Sequence, residues 1–477
     1  MKGKFNLKRR ILIGLMLLSI IFLCFSVKSS VIPYGNKIFV DTLDSYFPPV
    51  ASWNNHICYD NEGDRWYIIY AKDDGDWIYP VYAYSDSGDL TTWNTDSFNS
   101  YPIINDAHIG DLVFGSKVAS VYDNENNIGH VIHSSVPMTF FYYFNYTIAE
   151  GGALVRGELL TFHNPSGAYT YDNVDICLSQ DNKPMIVINY YKAGMNIYSF
   201  LCDSIDGYNG NWEIWHSTDI PTSRNLVSII PTGNTSALIM YASAYTSGSL
   251  QAQKIIYGTT LDNSAFSAFS DESVNQHQVY TSVEYTVHYG SSYNTTHGCI
   301  SYEAESDNDV YTFIFDFETL TKTGEYLTDE NIATDTLGWC GVTMDDNEFF
   351  TVCQESASGS IYQDLKYNEQ HVTGFSPFNK TQADFILEDF EYGNYQWGKP
   401  ICISKFSINN LSLIAFVYNE DLYITYGIFE GEYAEGEEEE EGPTPDTFDW
   451  SGIKWILALI VAIIIISFAI YVKGGKR

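Results

Sequence analysis

Short apolar strands separated by polar turns recur along most of this chain. The clearest copy runs His56-Ile-Cys-Tyr-Asp-Asn-Glu-Gly-Asp-Arg-Trp-Tyr-Ile-Ile-Tyr70: a short alternating run, a turn of Asp, Asn and Gly, then a second apolar run. Further copies begin at Val118, Val174 and Cys340, and weaker ones near Leu226, Val283 and Ile401. Tyr, Phe, Val, Ile and Thr fill the runs and helical periodicity is almost absent, which predicts an all-β domain. The starts recur every ~57 residues, the length of one four-stranded propeller blade with generous loops; such sheets bury their faces only by stacking on their neighbours. The expected fold is a β-propeller of six or seven blades, with seven preferred and a tandem β-sandwich as the rival. Only three strands are evident in the last repeat, at Cys402 to Phe406, Leu411 to Val417 and Leu422 to Tyr426. Lys37 to Val40 from the N-terminal side is expected to supply the fourth and close the ring.

Two longer apolar stretches flank this domain. Ile11 to Phe25 follows Lys2, Lys4, Lys8, Arg9 and Arg10, the arrangement of a secretory signal; an uncleaved anchor is the competing reading. Trp455 to Val472 carries no charge, has Trp455 and Tyr471 at its ends and is followed by Lys473, Lys476 and Arg477, as in a membrane-spanning helix with a cytoplasmic cap. The expected organisation is a signal over 1–30, a propeller over 31–428, an acidic disordered stalk over 429–453, a transmembrane helix over 454–472 and a basic tail over 473–477. That layout predicts a single-pass protein of the cell membrane with its large domain outside.

Charge narrows the partners. The formal net charge is -36, and the basic residues gather at the termini, leaving 14 of the 24 to face 60 acidic residues between positions 31 and 450. Such a surface repels nucleic acid and anionic headgroups, so contact with the bilayer is expected only through the C-terminal helix. An extracellular glycan or surface protein is the expected partner. Seven cysteines follow residue 30, and Cys177 with Cys202 and Cys340 with Cys353 are spaced for bridges between neighbouring strands. Sequons at Asn145, Asn234, Asn294, Asn379 and Asn410 are candidate glycosylation sites.

Ser85-Asp-Ser-Gly-Asp-Leu-Thr-Thr-Trp93 and Ser204-Ile-Asp-Gly-Tyr-Asn-Gly-Asn-Trp212 place Ser, Asp and Gly ahead of a Trp. These segments resemble degenerate Asp-boxes of the sialidase-like (BNR-repeat) propellers, with the Trp two residues late. In that family the motif is a structural turn, so the resemblance implies the fold and leaves activity open. A working sialidase would also need three arginines on one carboxylate. The domain holds Arg65, Arg156 and Arg224, of which only Arg224 lies just ahead of a repeat's first strand. A glycoside hydrolase would need facing carboxylates, and a polysaccharide lyase a His, a Tyr and a neutralising cation. His56, His130 and His133, with Tyr70, are the candidates for the latter.

No cofactor is called for. Calcium is the one ion the Asp-rich turns suggest, through Asp60 and Asp64, although recurrence of these turns at the same point in each repeat favours Asx side chains capping their own backbone. The expectation is a membrane-anchored propeller that binds a glycan or protein. A tethered carbohydrate-active enzyme is the alternative, and a structural envelope component is a third class.

Overall fold

In the computed structural model the described residues are 38–43, 50, 54–73, 77–98, 104–105, 118–134, 140–163, 170–191, 195–220, 225–243, 249–256, 267–268, 289–303, 310–317, 322–329, 340–344, 349–354, 361–364, 385–386, 401–409, 411–418 and 421–428. The segments 1–30 and 429–477 lie outside them, as do Arg224, Asn379 and Asn410. No helix among the described residues is long and apolar enough to cross a membrane.

The described strands pair into seven antiparallel sheets, each an up-and-down meander of four strands, with one extra short strand, Ile104–Asn105, in the first. The leading strands of the first six sheets, in chain order, are Ile57–Asp60, Val118–Asp123, Thr170–Leu178, Asn225–Pro231, Tyr289–Tyr293 and Cys340–Met344. The seventh begins with Ile401–Ile403 and continues through Leu411–Tyr418 and Asp421–Ile428. Its fourth strand is Ile38–Thr42, from the other end of the domain. An N-terminal strand completing the last sheet is the ring closure of a β-propeller, and it satisfies the edge that Asp421–Ile428 would otherwise expose.

Both faces of most sheets are buried, so residues alternate between two neighbours rather than between core and solvent. In Arg65–Asp73, Trp66, Ile68 and Tyr70 pack with Leu413, Ala415 and Val417 of the seventh sheet. Tyr67, Ile69 and Ala71 of the same strand turn to Val131, Phe144 and Tyr146 of the second. In Pro184–Tyr191, Ile186 and Ile188 face the second sheet while Met185 and Val187 face the fourth. This explains why the strands read as near-continuous apolar runs. The aromatic bulk fills the wedge between diverging sheets: Trp66 stacks on Phe406 at 6.1 Å, and Phe141 on Phe162 at 4.6 Å.

The seam between first and last sheets carries a polar latch. Asp41, on the closing strand, accepts Lys72 Nζ at 2.8 Å on each oxygen and the Tyr70 hydroxyl at 2.5 Å. Tyr70, expected as a candidate catalytic group, is fully buried and holds the ring shut.

The expected Cys177–Cys202 bridge does not form; both are free, buried thiols. Their strands flank Pro184–Tyr191. Two interstrand spacings, roughly 9–10 Å, exceed the ~7 Å that a disulfide can span. Cys340 and Cys353 stand opposite one another in register, and Cys340 Sγ lies 3.3 Å from the Ser301 carbonyl of the fifth sheet.

Candidate functional site

Polar groups from five sheets meet where the leading strands converge. Asp175 sits inside the apolar run Val174-Asp-Ile-Cys177 and has no solvent exposure. Its Oδ1 accepts the Asn55 amide at 2.9 Å, and its Oδ2 accepts the Ile229 amide at 2.9 Å and the Ser228 hydroxyl at 3.1 Å. Ser228 and Ser291 share a 2.9 Å hydrogen bond, and Lys405 Nζ reaches the Ser291 carbonyl at 2.5 Å and its hydroxyl at 3.2 Å. Because the Ser228 proton points at the carboxylate, Ser291 donates to Ser228 and Lys405 donates to Ser291. The chain of donors runs one way, from cation to anion. Asn54 and Asn55 donate their side-chain amides to the Val174 and Ile176 carbonyls, and Ser292 Oγ donates to the Lys405 carbonyl at 2.6 Å.

Burial governs the electrostatics. It pushes Asp175 up to about 6 against the pull of Lys405 and the surrounding amides. It pulls Lys405 down to about 8, resisted by Asp175. Burial also lowers His56 to about 3; the Ile69 carbonyl opposes this, and the Lys405 charge adds to it. Local sequence carries one sign of this network: Asp175 lies between the apolar Val174 and Ile176, and Lys405 two residues after the apolar strand Ile401–Ile403.

A second arrangement links the turns that join first to second strands. Asn61 N donates to Asn124 Oδ1 at 2.7 Å, and Asn124 Nδ2 to the Tyr59 carbonyl at 2.9 Å. Asn127 Nδ2 reaches Glu62 at 3.0 Å, Asn182 Nδ2 reaches Glu125 at 2.6 Å, and Gln180 N donates to the Gly233 carbonyl at 3.3 Å. Turns of four successive sheets are thus stitched into a belt. Asp64, Asn127 and Asn182 lie at φ of 52°, 55° and 60°, a left-handed conformation that Asp and Asn tolerate and β-branched residues do not.

The calcium candidates serve these turns. Asp60 Oδ1 caps the Glu62 amide at 3.0 Å, and Asp64 Oδ1 accepts the Tyr59 hydroxyl. No group of three or more ligating side chains occurs among the described residues. The Ser204–Trp212 segment is likewise a closed turn. Asp206 Oδ1 accepts the Ser204 hydroxyl at 2.7 Å and the Tyr208 and Asn209 amides at 3.0 and 3.1 Å, while Trp212 Nε1 donates to the Gly207 carbonyl at 2.8 Å. Burial acts to raise Asp206, but these donors outweigh it and hold the carboxyl below its usual range. In the first segment Trp93 Nε1 donates to the Leu90 carbonyl at 2.9 Å.

The remaining candidates fall in separate surroundings. Arg65, in the first sheet, pairs with Asp86 at 2.7 Å; Arg156, on the fourth strand of the second sheet, lies 5.9 Å from the Phe144 ring centroid. His56 Nδ1 meets the Ile69 carbonyl at 2.9 Å, and His130 Nδ1 meets the Tyr143 hydroxyl at 2.6 Å. Burial brings His130 to about 3, and His133 is buried beside the Tyr142 and Phe144 rings.

No family model matches the chain, and no curated protein matches it. Among solved structures the chain is similar to the polysaccharide lyase Uly1 at 6% identity and a TM-score of 0.44, covering 83% of this chain and 98% of that one. It is similar to the β-propeller domain of the Trilobed protease from Pyrococcus furiosus at 8% identity and a TM-score of 0.38, covering 80% and 97%. It is also similar to the NanB sialidase from Streptococcus pneumoniae at 13% identity and a TM-score of 0.37, covering 83% and 72%. Likeness of this degree says nothing of the chemistry of this chain.

Proposed function

We propose that this chain is a seven-bladed β-propeller held outside the cell by a C-terminal membrane helix over 454–472, and that it binds a surface glycan or surface protein. The observation that carries the binding reading over catalysis is the fate of the histidine candidates. His56 and His130 are buried, hydrogen-bonded within the domain and held near 3, so they stay neutral and closed to substrate at physiological pH. Arg65 is engaged by Asp86 rather than presented to a ligand carboxylate. The turns linked from sheet to sheet supply a rigid scaffold of the kind that recognition surfaces require.

The test uses the full-length chain in lipid nanodiscs, applied to arrays of polysaccharides and to intact cells, with product analysis on the same samples. Saturable retention without cleavage supports the proposal. Shortened or unsaturated sugar products, lost on His130→Ala, would replace it with the tethered carbohydrate-active enzyme.

A further inference from the structure

Three of the five sequons fall among the described residues, and their side chains stand in three different environments. Asn145 lies within the strand Phe140–Ile148 and is turned toward the neighbouring third sheet. Its Nδ2 donates to the Asp206 carbonyl at 2.9 Å, and its backbone amide donates to the Tyr208 hydroxyl at 3.1 Å. Packing there is close enough that a methyl group on Gly157 would fall 2.2 Å from Asn145 Oδ1 and 2.7 Å from the Tyr208 hydroxyl. A sugar on Nδ2 would have to displace the Asp206 turn from the second sheet. Asn294 is half-buried, and its Oδ1 accepts the Thr296 and His297 amides at 2.9 and 2.8 Å, so its side chain forms its own turn.

Asn234 differs. It is exposed, at the tip of the turn between Asn225–Pro231 and Ser236–Ser243. Thr232 and Ser236 close that turn beneath it, through a 3.0 Å backbone bond and a 2.9 Å hydroxyl pair. The Gly233 carbonyl ties it to the turn of the third sheet. The base of the turn is therefore fixed while its tip projects into solvent, the setting in which a bulky modification costs the fold least.

We propose that Asn234 is the residue among these three that carries an N-linked glycan, and that Asn145 stays unmodified in the folded protein. The donor class is a lipid-pyrophosphate-linked oligosaccharide. Asn234 Nδ2 loses one proton and forms a bond to the anomeric carbon, whose bond to the pyrophosphate oxygen breaks; the lipid pyrophosphate leaves and the released proton passes to solvent. The glycan then stands at the fourth-sheet end of the turn belt and shields that end from a docking partner.

This inference rests on the extracellular reading for its biological setting, but its geometry can be tested apart from that reading. The folded full-length chain is treated with a soluble asparagine glucosyltransferase and UDP-glucose, and site occupancy is followed by peptide mass spectrometry. Asn234 is expected to be labelled at least about tenfold faster than Asn145, because reaching Asn145 requires local opening of the sheet seam. Equal rates, or preferential labelling of Asn145, would overturn the assignment. Asn234→Gln should remove the fastest-labelled of these three sites without changing the rates at Asn145 and Asn294, and fast labelling at either of those two would also refute the proposal. Surface biotinylation of intact cells tests the extracellular reading separately; failure there would remove the setting and leave the ranking of the sites standing.

Discussion

The polar chain at the meeting of the leading strands and the belt of turns at the strand ends use the same side-chain chemistry in opposite environments. In the first, Asp175, Ser228, Ser291 and Lys405 are buried, and their interactions have no competing water. In the second, Glu62, Glu125 and Asn127 are exposed, and each bond between turns replaces a bond to solvent of nearly equal strength. Both tie sheets together, but only the buried set should be costly to damage, since removing one partner strands a buried charge.

The largest effect is therefore expected at the buried charges. Lys405→Met should destabilise the full-length chain by about 3–5 kcal/mol in denaturant unfolding, by leaving Asp175 buried without its cation. Lys405→Met combined with Asp175→Ala should lose about 2 kcal/mol less than the sum of the two single changes. Additive losses would show that the two charges do not act as a pair.

The pH dependence sharpens the contrast. Burial lowers Lys405 from 10.5 to about 8, so between those values the folded chain holds fewer protons than the unfolded chain. Its contribution to stability should rise as pH climbs from about 8 to 10.5, and Lys405→Met should flatten that limb. Asp175 is raised from 3.8 to about 6, so the folded chain holds more protons over that range. Its contribution is complete below 3.8 and is lost as pH rises through about 6. A series of unfolding midpoints across pH checks both signs.

A middle-sized effect belongs to the partly buried latch. Asp41→Asn weakens the contacts to Lys72 and Tyr70 and should cost about 1–2 kcal/mol, read as lower thermal stability and faster hydrogen exchange in Ile38–Thr42. The smallest change is expected in the belt: Glu62→Gln should shift stability by less than about 0.5 kcal/mol. A loss there equal to that of Lys405→Met would erase the distinction between the two regions.

Much of the architecture was legible in local pattern. Copies read at His56, Val118, Val174, Cys340 and Ile401 coincide with leading strands, because a sheet buried on both faces needs apolar runs of strand length between tight turns. The closing strand was foreseen for a related reason: a sheet with three evident strands needed a fourth, and Lys37 to Val40 overlaps the strand Ile38–Thr42 that provides it. The Asp side chains cap amides of their own turns, as the local sequence suggests, but the stitching of these turns to the next sheet is not legible there, since Asn61 and Asn124 are 63 residues apart. Cys177 and Cys202 misled because nearness in sequence suggested adjacent strands, while the meander put Pro184–Tyr191 between them.

The sequence by itself determined the strand repeat, the all-β class, the ring-closing segment and the acidic surface, since each follows from local periodicity or summed charge. Only the tertiary structure decided which side chains meet. Closing the ring brings Asn55, Asp175, Ser228, Ser291 and Lys405 together from five sheets, buries His56 and His130, and leaves Asn234 in solvent while enclosing Asn145. Burial and partnership set charge state, access and stability, and they arise from contacts between residues far apart in the chain.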